Sequence, residues 1–312
     1  MKNVCITSAL RTAVGSMGKS LKNVCADELG ASVIQKTVID SKIPEHEVDE
    51  IIMGQVLTGG SGQNPARQAA IKSGIPKEKP AYIVNQVCGS GIRSIVSGFQ
   101  SINSEDSKIV IAGGQESMSQ APHAIHLRDG KKLGDVELID TMIKDGLWDA
   151  FHGYHMGITA ENVAEKFQIT RAEQDKFALR SQEKALEAQK QNRFKEEIIN
   201  FKIKSKKAEI DFNKDEHPRE GINLDALTRL KPVFKKNGTV TAGNSSGIND
   251  GAAAVALMAS EEAEKRNIKK LVTIKSWASC GVDPALMGTG PIPSSKKALE
   301  LAGWDIKDVD LF

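Results

Sequence analysis

Short apolar runs alternate with amphipathic segments over the first 118 residues. The apolar runs suit buried strands, and the amphipathic segments place leucine, valine and isoleucine on one helical face. The predicted elements are a strand at 4–8, a helix at 27–40, a strand at 48–56, a helix at 65–73, a strand at 81–87, a helix after residue 91 and a strand at 108–112. Such alternation predicts βαβ units around a mostly parallel sheet.

The strand at 81–87 and the helix after it flank Cys88. The strand is apolar enough to be buried on both faces, and apolar residues recur at helical spacing from Ile92 to Phe99. Glycine and serine at 89–91 predict a tight turn, so Cys88 is expected at the N-terminus of a helix. That position favours a thiolate, and the carboxyl ends of strands are where such sheets bind ligands. Cys88 is therefore a candidate nucleophile, and a buried cysteine that packs as a small apolar residue is the alternative.

The alternation stops between residues 119 and about 241. A charged helix is predicted at 160–191, followed by a lysine run at 202–207. We expect an insertion packed over the sheet. The lysine run contains no aromatic residue for base stacking, so a solvated surface is favoured over a nucleic-acid site. The strand pattern returns at 252–258, which predicts the last strand of the first sheet.

The last segment repeats the order of the first. A strand at 271–276 and a helix at 295–302 come in the same sequence, and the pattern at 305–310 echoes that at 44–49. This predicts an internal duplication. A second copy that stops at Phe312 would leave an apolar strand edge unpaired, so we expect an incomplete chain. The predicted domains are an N-terminal half (1–118), an inserted loop domain (119–250), the last strand and helix of the N-terminal half (251–270) and an incomplete C-terminal half (271–312).

Composition narrows the class of protein. The 312 residues are 40% hydrophobic and 26% charged with a net charge of +2, which is typical of a globular protein without overall attraction to nucleic acid or membrane. We expect a cytoplasmic protein, because no signal peptide or membrane-spanning run is evident. The cysteines are far apart and lack metal-ligand spacing, which indicates a reducing compartment. They are Cys5, Cys25, Cys88 and Cys280.

Five motifs carry a resemblance to a known family. They are NQVCGSG at 85–91, GGQESMS at 113–119, YHMGITAEN at 154–162, TVTAGNSSGINDGAA at 239–253 and MGTGPIP at 287–293. In these motifs the whole chain resembles the thiolases, most closely the acetyl-CoA C-acetyltransferase (acetoacetyl-CoA thiolase) branch. The resemblance implies an α/β, duplicated five-layer fold with mixed sheets and an inserted loop domain, its second half truncated here. It also implies a homo-oligomer, dimer or tetramer, acting in fatty acid metabolism.

The resemblance gives a role to each matching residue. Cys88 would carry the acyl group. His155 and Met156 would lie beside the acyl and pantetheine portion, and Arg219 near the nucleotide end. A structural histidine, a core methionine and a surface arginine are the alternatives for these three. The substrates implied are acetyl-CoA, acetoacetyl-CoA and CoA, without a tightly bound cofactor or a metal. The other positions that line the coenzyme A cleft are Leu147, Phe234, Ala242, Ser246 and Met287.

Some motifs of the family do not occur in this sequence. They are an Asn-Glu-Ala-Phe loop, a histidine in an HGG motif and a second cysteine, all in the family's second half. Condensation needs a base and an oxyanion site, so we expect residues 1–312 alone to lack thiolase turnover. Because the second copy would hold only two of its strands, we also expect them to be poorly soluble or dependent on a partner. The other histidines of this chain lie outside the YHMG motif and outside any HGG motif, so we do not expect them to replace the missing histidine. They are His46, His123, His126, His152 and His217.

The expected reaction is reversible condensation of two acetyl-CoA to acetoacetyl-CoA and CoA through an acyl-cysteine. A longer-chain 3-ketoacyl-CoA thiolase is an alternative, which the YHM triplet at 154–156 disfavours. A condensing enzyme of the same fold that acts on a carrier protein is disfavoured by the long insertion and the cleft residues. A chain without catalysis that binds coenzyme A or a partner subunit is the remaining alternative.

Overall fold

The computed structural model describes residues 2–204 and 208–312. The strands are β1 (Val4–Arg11), β2 (Gly15–Ser16), β3 (Glu50–Gly54), β4 (Ala81–Val84), β5 (Ile109–Ser117), β6 (His123–Ala124), β7 (Ile139–Asp140), β8 (Trp148–Asp149), β9 (Tyr154–His155), β10 (Phe201–Lys204), β11 (Glu209–Phe212), β12 (Asn249–Ala259) and β13 (Val272–Thr273). The α-helices are α1 (Ala26–Asp40), α2 (Pro65–Lys72), α3 (Ser90–Asn103), α4 (Met156–Lys166), α5 (Arg171–Lys190), α6 (Leu224–Thr228), α7 (Ser260–Lys265) and α8 (Pro291–Ala302). A π-helix spans Met142–Leu147, and 3₁₀ turns span Glu45–Glu47, Met118–Gln120, Pro284–Thr289 and Ile306–Asp308.

The chain forms two compact units. The first consists of Met1–Leu147, Arg193–His217 and Ile248–Thr273. The second consists of Trp148–Asn192, Pro218–Gly247 and Ile274–Phe312. The first unit contains the large sheet, and the second contains helices α4, α5, α6 and α8 with the β8–β9 hairpin.

The large sheet of the first unit is mixed rather than mostly parallel. In the described residues its order is β13-β1-β12-β5-β3-β4, and β2 pairs with β12. Strands β3, β4 and β5 pair in parallel, whereas β12 is antiparallel to both β1 and β5. The prediction of a mostly parallel sheet was wrong because β12 inserts between two strands that precede it by more than a hundred residues. The mixed sheet of the α/β fold class is confirmed.

Helices cover the two faces of this sheet. Helices α1 and α2 pack on the face that carries Ile109 and Ile111 of β5, where the main apolar core lies. Helix α3 packs on the opposite face, because neighbouring residues of a strand point to opposite sides. Ser94 of α3 donates a hydrogen bond of 2.6 Å to the Gly113 carbonyl of β5. That contact requires the helix to lie close to the sheet.

The strand and helix that flank Cys88 differ from the prediction. Strand β4 ends at Val84 and lies at one end of the sheet order, with Tyr82 37% exposed, so it is not buried on both faces. Helix α3 buries Ser90, Ser94 and Gly98 as well as the apolar Val96 and Ile102, whereas Ile92 is 72% exposed. The apolar spacing was right for Val96 and wrong for Ile92, because the start of α3 approaches the sheet closely and places its small side chains there.

The helical stretch predicted at 160–191 is two helices. Gln168 adopts a left-handed backbone conformation (φ +55°), which ends α4. Thr170 then caps α5 in a capping box with Glu173. Of the lysine run, Lys202 and Lys204 are exposed, and Lys206 and Lys207 lie outside the described residues. None of the described helices is long and apolar enough to cross a membrane.

The last segment reproduces part of the predicted repeat. Helix α8 is present, and the 3₁₀ turn Ile306–Asp308 corresponds to Glu45–Glu47 in the first copy. The predicted strand at 271–276 is reduced to β13, which pairs antiparallel with β1 and so belongs to the first sheet. The strand is therefore shorter than predicted, and the assignment of residues 271–312 to a second copy stays a prediction.

Candidate active site

Cys88 is exposed in the loop between β4 and α3. The Asn85 side-chain oxygen accepts the Val87 N–H at 2.9 Å. The Ser90 hydroxyl accepts the Gln86 N–H at 2.9 Å and donates to the Val87 carbonyl at 2.6 Å. Helix α3 begins at Ser90, so the thiol precedes the helix N-terminus as predicted. The exposure of Cys88 argues against a cysteine that merely fills the core.

A cavity of about 360 Å³ in the first unit includes Cys88. It lies where β1, β3 and β5 end, with the start of α3 beside them. Gly54 makes this arrangement possible, because a Cβ atom there would lie 2.4 Å from the Ser90 carbonyl carbon. The close contact of β3 with the start of α3 holds the cysteine loop over the strand ends, which is where α/β sheets bind ligands.

Polar groups line the same cavity. The Glu116 carboxylate accepts the N–H groups of Val56 at 2.8 Å and Leu57 at 3.2 Å. Burial raises the pKa of Glu116, and these two donors offset part of that rise. The Arg11 guanidinium is paired with Asp215 at 2.8 Å and Glu197 at 2.7 Å, so its charge is already compensated. Sequence analysis did not single out any of these groups.

Cys5 and Cys25 lie in surroundings that make their thiols less reactive. Cys5 is fully buried, and burial raises its pKa. The pKa of Cys25 is raised by burial and by the neighbouring carboxylates of Glu28 and Asp27. A raised pKa leaves less of the reactive thiolate at neutral pH.

We expect iodoacetamide to alkylate Cys88 first in the folded protein. Brief labelling at neutral pH followed by peptide mapping measures the rate at each cysteine. The denatured protein is the control, in which the rates should converge. Faster alkylation of Cys5, Cys25 or Cys280 in the folded protein would show that Cys88 is not the most reactive thiol.

His155 and Phe234 are in contact within the second unit. Their rings stack with centroids 4.6 Å apart. The Gly157 N–H donates to His155 Nδ1 at 3.0 Å, so that nitrogen is unprotonated and Nε2 carries the proton of a neutral ring. Burial also lowers the pKa of His155. A Cβ atom at Gly157 would lie 2.3 Å from the Phe234 ring, so glycine is required there. His155 is thus a fixed, neutral hydrogen-bond donor.

Ala242 and Ser246 are exposed on a loop that two buried carboxylates hold in place. Glu161 of α4 accepts the N–H groups of Thr239 and Val240, both at 2.8 Å. Asp175 of α5 accepts from the Asn244 amide at 2.9 Å. The Asn244 oxygen in turn accepts the Thr241 N–H at 2.7 Å. The loop is therefore anchored to both helices.

The remaining predicted residues are placed as follows. Leu147 is half-buried at the end of the π-helix. Met156 is the first residue of α4, and the 3₁₀ turn that carries Met287 packs against this helix. Arg219 is exposed, and its backbone N–H donates to the Gln182 side chain at 2.9 Å. The second unit thus contains His155, Met156, Arg219, Phe234, Ala242, Ser246 and Met287.

Two family models match this chain. The model described as "Thiolase, N-terminal domain" matches residues 4–261, and "Thiolase, C-terminal domain" matches residues 268–312. The chain belongs to the thiolase family. This confirms the resemblance carried by the five motifs.

Individual thiolases are similar over nearly the whole chain. "Acetyl-CoA acetyltransferase" of Rhizobium meliloti is 57% identical over 309 residues, which cover 99% of this chain and 79% of the relative. "Acetyl-CoA acetyltransferase, cytosolic" of Mus musculus is 50% identical, covering 99% and 78%. The crystal structure of the Bacillus anthracis acetyl-CoA acetyltransferase superimposes with a TM-score of 0.97 at 42% identity, covering 100% and 79%. The matches cover nearly all of this chain and do not support the expectation that its second copy is incomplete. That expectation therefore stays a prediction.

Proposed function

We propose that the protein transfers acetyl groups reversibly between coenzyme A thioesters, with Cys88 as the acyl carrier. The observation that carries this proposal is the exposed thiol at the carboxyl ends of the strands, in a thiolase whose relatives are named acetyl-CoA acetyltransferases. The same names support coenzyme A thioesters as substrates. The cytosolic relative of mouse supports a cytoplasmic location.

The first step is an acyl transfer. The Cys88 thiolate attacks the thioester carbonyl of acetyl-CoA, a bond forms between Sγ and the carbonyl carbon, and the bond to the coenzyme A sulfur breaks. The released CoA thiolate takes up a proton. In the second step the methyl group of another acetyl-CoA loses a proton, which balances the one taken up by CoA, and the resulting carbanion attacks the carbonyl carbon of the acyl-cysteine. A carbon–carbon bond forms and the bond to Sγ breaks, which gives acetoacetyl-CoA and regenerates the thiolate. None of the described residues is assigned as the base for this proton transfer.

The remaining family positions supply binding. His155, held neutral by Gly157 and Phe234, presents Nε2–H to a carbonyl oxygen of the ligand. Met156 and the anchored loop with Ala242 and Ser246 supply contacts to the pantetheine portion. Leu147 and Met287 add apolar contacts, and Arg219 supplies charge toward the phosphates. A homo-oligomer, as the resemblance implies, is tested by size-exclusion chromatography with light scattering.

Comparing acyl donors tests the function. We expect acetyl-CoA to release CoA rapidly and octanoyl-CoA to release it at least about tenfold more slowly. One methylene group in an apolar pocket changes binding by only about 1–3 kcal/mol, so this discrimination must come from steric exclusion of the longer acyl chain. Release of free CoA, resolved by chromatography over the first turnover, is the measurement. Acetyl on an acyl carrier protein is the third donor.

Each other outcome selects a different function. Equal rates with acetyl-CoA and octanoyl-CoA would indicate a longer-chain thiolase. A preference for the carrier-bound acetyl group would indicate a carrier-linked condensing enzyme. If none of the donors releases CoA but calorimetry still detects binding of coenzyme A, the protein would be a chain without catalysis that binds coenzyme A.

A further inference from the structure

Val87, directly before Cys88, has a strained backbone. Its φ is +47°, in the left-handed region. A β-branched residue is rarely found there, because its side chain crowds the backbone. Val87 is also 40% exposed, so its side chain is not locked in a packed core. Strain of this kind persists only where the surrounding structure enforces it.

Two side chains enforce the conformation of Val87. The Asn85 oxygen accepts the Val87 N–H at 2.9 Å, which closes a turn of the kind asparagine forms with the residue two positions ahead. The Ser90 hydroxyl and the Ser90 N–H both donate to the Val87 carbonyl, at 2.6 Å and 3.0 Å. Both polar groups of the Val87 backbone are therefore fixed.

Asn85 is itself tied to the end of strand β3. Its amide nitrogen lies 3.5 Å from the Val56 carbonyl, a weak hydrogen bond. The N–H of the same Val56 donates to the Glu116 carboxylate at 2.8 Å. A continuous chain of contacts thus runs from Glu116 on β5, through Val56 and Asn85, to Val87.

We infer that Asn85 is a positioning residue for Cys88, acting by holding Val87 in the left-handed conformation. If Val87 relaxed to an ordinary φ, the chain would enter α3 in another direction and the thiol would leave its place beside the helix N-terminus. Since only the correctly placed population reacts, the rate at Cys88 falls with that population. The inference rests on the proposed function for its catalytic meaning, but not for its test.

A double-mutant cycle tests the inference. In the native background we expect Asn85→Ala to slow alkylation of Cys88 by about five- to tenfold, the effect of one lost hydrogen bond. Glycine adopts the left-handed region without steric cost, so in a Val87→Gly background the same change should slow alkylation by less than about twofold. Asn85→Ser, which keeps an oxygen acceptor, should retain most of the native rate.

Controls separate this role from general stability. Lys42→Gly relieves left-handed strain (φ +55°) far along the chain and should leave the alkylation rate of Cys88 unchanged. Thermal melting of every variant is measured alongside. Equal slowing by Asn85→Ala in both backgrounds, or none in either, would overturn the inference, and so would failure of Asn85→Ser to restore the rate.

The readout is independent of the proposed function. Alkylation by iodoacetamide reports the placement of the thiol and requires no acetyl-CoA. A positive cycle in a protein that releases no CoA from acetyl-CoA would therefore contradict the function and leave the positioning role intact. Release of CoA from acetyl-CoA, together with additive effects of the two substitutions on alkylation, would support the function and contradict the positioning role.

Discussion

Replacing Cys88 with alanine is expected to abolish acetyl exchange between acetyl-CoA and free CoA. The methyl group of alanine cannot form the thioester, and no described residue of the cavity offers a second thiol. The loss should be on the order of 10⁴-fold or more, because removal of a covalent nucleophile leaves only binding and electrostatic effects. Incorporation of isotope-labelled CoA into acetyl-CoA is the measurement.

Cys280→Ala is the matched control, since this thiol is half-buried in the second unit. It should leave exchange within about twofold of the native rate, the small effect expected away from the site. Cys88 is exposed, so Cys88→Ala should also melt like the native protein. Exchange retained by a well-folded Cys88→Ala variant would contradict the assignment.

Replacing Asp175 with alanine is expected to destabilise the second unit strongly. The Asp175 side chain is fully buried and accepts from Arg171 Nε at 2.8 Å and from the Asn244 amide at 2.9 Å. Arg171 also donates to the carbonyls of Leu227 and Leu230, so this carboxylate joins α5 to the segment that includes α6. Loss of one partner from a fully buried ion pair costs about 3–5 kcal/mol, because the other charge is left uncompensated. The Arg171 side chain is 24% exposed, so we expect a loss of about 3 kcal/mol, the lower end of that range.

Urea denaturation measures this loss as a fall in the free energy of unfolding. Because Thr241 and Asn244 lie one and two positions from Ala242 and hold its loop, we also expect the KM for acetyl-CoA to rise more than kcat falls. Glu183→Ala, an exposed change on the same helix, is the control and should shift stability by less than about 0.5 kcal/mol. A small change with Asp175→Ala would mean that the buried pair does not hold the loop.

Local patterns predicted the elements well where neighbours in sequence decide the structure. Helices α1 and α2 agree with the predicted bounds to within one residue, because their apolar faces repeat at helical spacing. The place of β12 between β1 and β5 was not predicted, since that pairing joins residues far apart in sequence. Strand β4 was taken as central because it is apolar, and sequence alone does not reveal that it lies at the end of the sheet.

Sequence analysis singled out Cys88 as the candidate nucleophile but not the contacts that hold its loop. Cys88 was found because its turn has a recognisable sequence, and the family supplied the cleft positions. Val87 is a residue that propensity excludes from a left-handed turn, so its conformation was missed. Asn85, two positions earlier, was a usable signal for such a turn. Asp175 was missed because a carboxylate in a charged helix is usually exposed, and here Arg171 and Asn244 allow its burial.

The most direct test of the acyl carrier is to trap it. The protein is mixed with acetyl-CoA, quenched in acid within the first turnover and digested, and each cysteine peptide is analysed by mass spectrometry. We predict one acetyl group, labile to hydroxylamine, on the peptide that contains Cys88 and on no other cysteine peptide. Acetyl on Cys5, Cys25 or Cys280 instead, or CoA released without any acetyl-cysteine, would contradict the account.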